Sequence, residues 1–167
     1  MINQEVINKI TSSQLLGSGK KGAIMQISTK FTIAIHILAA TEIFGDQYKI
    51  TSDFLASSVG CNPVIIRNLM KQLKGAGLIA VRRGPGGVRV TKPLEQITFY
   101  DVYEAVETNK EELFNFHDRP NPQCPVGRNI HKALDGQLRE IQKQFEADLR
   151  QHNVGEVVTD LKKEIAG

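Results

Sequence analysis

Between residues 62 and 91 the order of glycines, prolines and caps leaves few folds open. Asn62-Pro63 opens a helix: the Asn side chain caps it, and the missing proline N–H costs nothing at the first helical position. The helix is expected over Val64 to Lys74, and Gly75 and Gly77 stop it. Leu78 to Arg82 and Val88 to Thr91 then read as strands. Gly84-Pro85-Gly86-Gly87 between them needs backbone conformations that glycine visits most easily. Just before this run, Thr51 and Ser52 are candidate caps for a short helix over Asp53 to Ser58, which Gly60 breaks. Two short helices joined by a glycine-containing turn and followed by a hairpin predict a helix-turn-helix with a wing.

The flanks are helical. Ser28 is placed to cap a helix to about Phe44, with Phe31, Ile35, Leu38 and Ala39 at helical spacing and His36 as an ordinary helix residue among them. In the 62–74 helix, Ile65, Leu69, Met70 and Leu73 form the expected apolar stripe, with Arg67, Asn68, Lys71 and Lys74 on other faces. Thr98-x-x-Asp101 is a capping box that opens a helix to about Glu107. Residues 108–125 are polar, contain three prolines and read as a loop. A long helix follows over Val126 to Gln151, then a last one over Val154 to Ile165. Along the long helix Ile130, Leu134, Leu138, Ile141, Phe145 and Leu149 recur near coiled-coil spacing. A small winged unit cannot cover the whole of that stripe, so a second copy of the chain is expected against it. The expected architecture is mainly α with a small β-wing: a winged helix-turn-helix unit over 25–107, then a linker loop and dimerisation helices over 108–167.

Charge agrees with this order. From Phe54 to Leu94 there is no Asp or Glu, while Arg67, Lys71, Lys74, Arg82, Arg83, Arg89 and Lys92 all fall there. The net charge of +3 therefore conceals one cationic segment, suited to a polyanion whose condensed counterions it would release. An enzyme is not expected, because the chain has no nucleophile elbow, no metal-ligand cluster and no nucleotide loop. Cys61 and Cys124 make no disulfide framework and point to a reducing, cytoplasmic setting. The longest strongly apolar run, Phe31 to Ala40, is too short to span a bilayer.

The first 24 residues stand apart. Gly17-Ser18-Gly19-Lys20 lacks the earlier glycine and the following Ser or Thr of a phosphate loop. Lys20 to Ala23 can be encoded by a purine-rich tract shortly before Met25, which is how a bacterial ribosome-binding site looks when translated in frame. Met25 is accordingly the expected natural start, and residues 1–24 a non-native or flexible extension.

The run Gly77-Leu78-Ile79-Ala80-Val81-Arg82-Arg83-Gly84-Pro85-Gly86-Gly87, with Leu55-Ala56 and the segment Ile97 to Glu107, resembles the Rrf2 family of bacterial winged-helix transcriptional regulators, over about Met25 to Gly167. The Asn62 to Arg67 wording is similar to a clusterless subgroup. The resemblance implies a homodimeric repressor on double-stranded DNA, with helix 62–74 in the major groove of a palindromic operator and wing 82–89 in the minor groove. Asn62, Val64, Arg67, Asn68 and Lys71 are the candidate readers on the helix, where Arg can take guanine and Asn adenine. Arg82, Arg83, Gly84, Pro85 and Gly86 form the wing, with Arg83 suited to a narrow, electronegative minor groove. Lys30, Thr51 and Ser52 are candidates for phosphate contacts. The family's iron–sulfur cluster uses three cysteines near the start of the long helix. Only Cys124 stands there, with Gly127 where some members place a ligand histidine, so no metal or other cofactor is expected. Cys124 remains a candidate redox thiol. Some clusterless relatives bind a metabolic enzyme, which makes a protein-docking regulator with secondary DNA binding the alternative.

Arg83→Ala is expected to weaken duplex binding by on the order of 1–3 kcal/mol if its guanidinium enters the groove. A titration at moderate salt that shows unchanged affinity would remove Arg83 from the interface.

Overall fold

A computed structural model describes residues 28–82, 87–107, 113, 114 and 116–167. The expected extension 1–24, and Arg83, Gly84, Pro85 and Gly86 of the wing, lie outside the described residues.

The chain is built around α1, Thr29–Phe44. Ser28 caps it, its Oγ accepting from the Lys30 amide at 3.1 Å. Phe31, Ala34, Ile37, Leu38, Ala39, Ala40 and Thr41 are buried, and they are distributed round the helix rather than along one stripe. A helix apolar on all sides belongs in the middle of a core. Ile35, expected on the buried stripe, is only half-buried. The Thr41 hydroxyl is satisfied by donating to the Ile37 carbonyl at 2.7 Å. His36 hydrogen-bonds the Ser58 hydroxyl at 2.9 Å and so ties α1 to the next helix.

That helix, α2, is Ser52–Val59. Of its two candidate caps Thr51 acts, accepting from the Phe54 amide at 3.1 Å, and Ser52 is already helical. Gly60, at φ 74°, ends it in the left-handed conformation. Then α3, Pro63–Gly75, opens on Asn62, whose Oδ1 accepts from the Val64 amide at 2.8 Å. Gly75 is its last helical residue, and Gly77, at φ 73°, makes the turn.

The hairpin pairs β1, Ile79–Arg82, with β2, Gly87–Val90, antiparallel, with Ile79 opposite Val90 and Arg82 opposite Gly87. Gly87 is required twice over. Its φ is 59°, and a Cβ there would lie 3.0 Å from the Ile50 carbonyl oxygen. The close approach lets the Val88 amide donate to that same oxygen at 3.1 Å, which pins the hairpin to the body of the domain.

A 3-10 turn, Leu94–Gln96, leads into α4, Phe99–Val106. The Thr98–Asp101 capping box forms both its bonds, at 3.1 and 3.0 Å. The long helix α5 is Pro125–Gln151, 27 residues or about 40 Å at the standard helical rise. Only its carboxyl end is seated on the domain: Leu149 is buried, Phe145 meets the Tyr103 ring edge-on at 5.7 Å, and Arg150 lies over the Tyr100 ring at 3.5 Å. Two residues of the expected dimerisation stripe, Phe145 and Leu149, are therefore engaged within the chain itself. Ile130, Leu134 and Leu138 are half-buried and Ile141 is exposed.

The last helix, α6, Val154–Ala166, does not extend away with α5. It folds back on α1 and on the 3-10 turn, burying Val154 and Val158 in the common core. Backbone bonds from Phe99 to His152 and from Val154 to Ile97, both 2.9 Å, hold it there.

Ending the chain at His152 should expose the surface that Val154 and Val158 cover. At about 1.5–3 kcal/mol for each fully buried side chain, the loss is about 3–6 kcal/mol. Thermal unfolding followed by circular dichroism should show the midpoint falling by about 10 °C or more. A midpoint within about 2 °C of the full chain would remove α6 from the core.

Candidate nucleic-acid interface

The phase of α3 is set by Ile66, Leu69 and Leu73, which are buried against the core. Their spacing of three and four leaves Val64, Asn68 and Lys71 centred on the opposite, outward face. Ile65, expected in the apolar stripe, is instead 43% exposed, and Val64 is 53% exposed. The neighbouring Ile66 takes the core position. Its spacing to Leu69 and Leu73 was the one sequence signal for this placement.

Lys30 of α1 reaches the same surface: it lines a shallow hollow with Ile65, Asn68, Lys71 and Gln72. Asn62 is exposed at the start of α3 with its side-chain oxygen engaged as the cap. Thr51 and Ser52 lie at the start of α2, beside α3. There Arg67 is held sideways. Its Nε donates to the Ser52 hydroxyl at 3.4 Å, and its Nη2 lies 3.6 Å from Asp53 Oδ1. Both charged side chains are more than half exposed, so this pair contributes little to stability, typically below about 1 kcal/mol, and is easily exchanged.

Asp53 joins this surface although in sequence it lies one residue before the acid-free run. Lys92, within that run, likewise pairs with Asp101 at 3.6 Å. Two of the seven cations thus face acids contributed from outside the segment. Arg82 is exposed at the end of β1, and Arg89 is exposed on β2. The structure brings Lys30, Ser52, Val64, Arg67, Asn68 and Lys71 to one side of the helix pair.

A sequence profile described as "Rrf2: Iron-dependent Transcriptional regulator" matches residues 27–160. YwnA of Bacillus subtilis (strain 168), which bears the name of an HTH-type transcriptional regulator, is 36% identical over 135 residues, covering 81% of this chain and 98% of that protein. YwgB of the same organism, named in the same way, is 34% identical and covers 80% and 85%. The structure of CymR, the global cysteine regulator of B. subtilis, superposes with a TM-score of 0.60 at 18% identity, covering 81% of this chain and 98% of CymR, a likeness of fold.

Among the described residues the iron in that description has no evident seat. A cluster needs about four thiolate-class ligands. Among the described residues no three His, Cys, Asp or Glu side chains converge to hold a metal ion. Cys124 is exposed at the cap of α5, and His117 and His131, equally near it in sequence, pack their rings against each other at 4.9 Å. The donor set does not fit an iron centre within one subunit.

Cys124 differs from Cys61 in acidity. Backbone N–H groups of Gly127 and Val126 at the start of α5 hold its thiol below the ordinary range, whereas burial pushes Cys61 up. A lowered thiol pKa keeps the thiolate as pH falls. Iodoacetamide should therefore modify Cys124 first at neutral pH, with a pH–rate inflection below that of Cys61, and Cys124→Ser should remove the fast phase. Equal rates by peptide mass spectrometry would contradict this.

Proposed function

The chain belongs to the Rrf2 family of transcriptional regulators, and from that premise we propose that it is a homodimeric, DNA-binding repressor. The observation that carries this reading is the outward face of α3. A helix seated by Ile66, Leu69 and Leu73 presents Val64, Asn68 and Lys71 to solvent, flanked by Arg67 and by Lys30 from α1. Such a face suits the major groove, where the amino-terminal residues of the helix meet base edges. Thr51, Ser52 and Lys30 take phosphates, Asn62 leads the helix into the groove, and Arg82 with residues 83–86 follows the neighbouring minor groove. The Arg67–Asp53 pair opens to give the guanidinium to DNA.

In this reading residues 28–107 closed by α6 form the DNA-reading unit, and the free part of α5 is the dimerisation element. Ile130, Leu134, Leu138 and Ile141 form the seam with a second copy, since α5 is seated on its own domain only near Phe145 and Leu149. Two-fold symmetry then matches a palindromic site. Cys124, at the free end of α5, is where oxidation would alter the dimer.

The test combines sedimentation with selection from a random duplex pool. The protein should sediment as a dimer at micromolar concentration and enrich a palindrome with half-sites about one DNA turn, roughly 34–36 Å, apart. With about 6–10 phosphate contacts, affinity should fall roughly 10³–10⁵-fold between 50 and 200 mM salt. Leu138→Asp would put an unpaired carboxylate into the seam and should give a monomer with poor affinity. A monomeric wild type, or binding that ignores salt, would overturn the reading.

A further inference from the structure

We propose that Val64 and Ile65 read thymine methyl groups, so that α3 selects an A·T-rich half-site core; this rests on the DNA-binding reading above. Val64 is 53% and Ile65 43% exposed, two adjacent β-branched side chains on the first turn of a helix whose buried face is complete without them. A single exposed apolar residue is ordinary. Two together, flanked by Asn62, Asn68, Lys71 and Lys30, give the centre of a cationic face an apolar surface. In the major groove only one base offers an apolar group, the C5-methyl of thymine.

The neighbours support the same base pair. Asn68 stands one helical turn beyond Val64 and three residues beyond Ile65, on the same outward side, and the Asn amide suits the N6 and N7 edge of adenine. Asn68 on an adenine therefore places Val64 and Ile65 over the neighbouring thymines. Arg67, the residue that would favour guanine once its exposed pair with Asp53 opens, starts from the flank of the helix beside Ser52, on the side away from Ile65.

The duplex enriched from a random pool by the full chain is resynthesised with deoxyuridine in place of each thymine in turn, which removes only the methyl. Affinity should drop about threefold to tenfold at one or two thymines in each half-site, the scale of burying one methyl group. Val64→Ala and Ile65→Ala should each abolish the penalty at one of those thymines. Both are exposed positions, so the variants should melt like the wild type. An enriched duplex indifferent to every deoxyuridine, or a penalty that persists in both variants, would overturn thymine reading and leave these side chains to a protein contact. A pool that yields no enriched duplex would overturn the DNA-binding reading and this one with it.

Discussion

Every outward residue of α3 owes its direction to the burial of Ile66, Leu69 and Leu73 in the core, where α3 packs on α1, α2, α4 and β1. A helix rotated by one residue would bury Ile65, bring Ile66 to the surface and turn Asn68 towards the core. The seat is secure because α1 is itself enclosed. Its buried side chains face α2, α3, α4, α6 and the hairpin, so no neighbour can shift without opening a cavity against another. Gly87 performs the same service for the hairpin, where only a residue without Cβ permits the approach to Ile50. The candidate interface is thus a set of surface side chains whose geometry is fixed from beneath.

The long helix follows a different rule. Its carboxyl end is held by Leu149, Phe145 and the Arg150–Tyr100 stack, and its amino-terminal two-thirds carry an apolar stripe with only partial cover. Two residues before it lean on it: Phe116 lies 4.7 Å from His131, and the Leu113 amide donates to Gln142 at 3.3 Å. A helix fixed at one end and apolar at the other is well suited to pairing with its own copy, because neither partner must unfold anything to meet.

Sequence alone made the local features legible. The caps at Ser28, Thr51, Asn62 and Thr98 and the breaks at Gly60 and Gly77 depend on residues within a turn of one another, and each forms the expected contact. Leu69 and Leu73 hold the buried stripe of α3 as expected, but Ile66 rather than Ile65 completes it, since the two are equally apolar and only packing chooses between them. The return of α6 was hidden for a similar reason: an amphipathic face does not say which core it meets. The pairing of Arg67 with Asp53 was missed because a charge count along the chain ignores what α2 brings alongside. As a set of candidate residues the interface was visible; its internal ion pair and its exposed isoleucine were not.

The backbone bridge between Thr98 and Asn153 joins segments far apart in the chain. Val154 and Val158 complete the wall around α1, yet they are made after nearly everything they cover. On the ribosome, the helices that form the candidate interface emerge first and wait with part of the α1 surface bare. The domain closes only when α6 arrives, so a translation product interrupted before it would carry α3 but not a finished fold. Synthesis through α6 is thereby a condition for a closed core around α1.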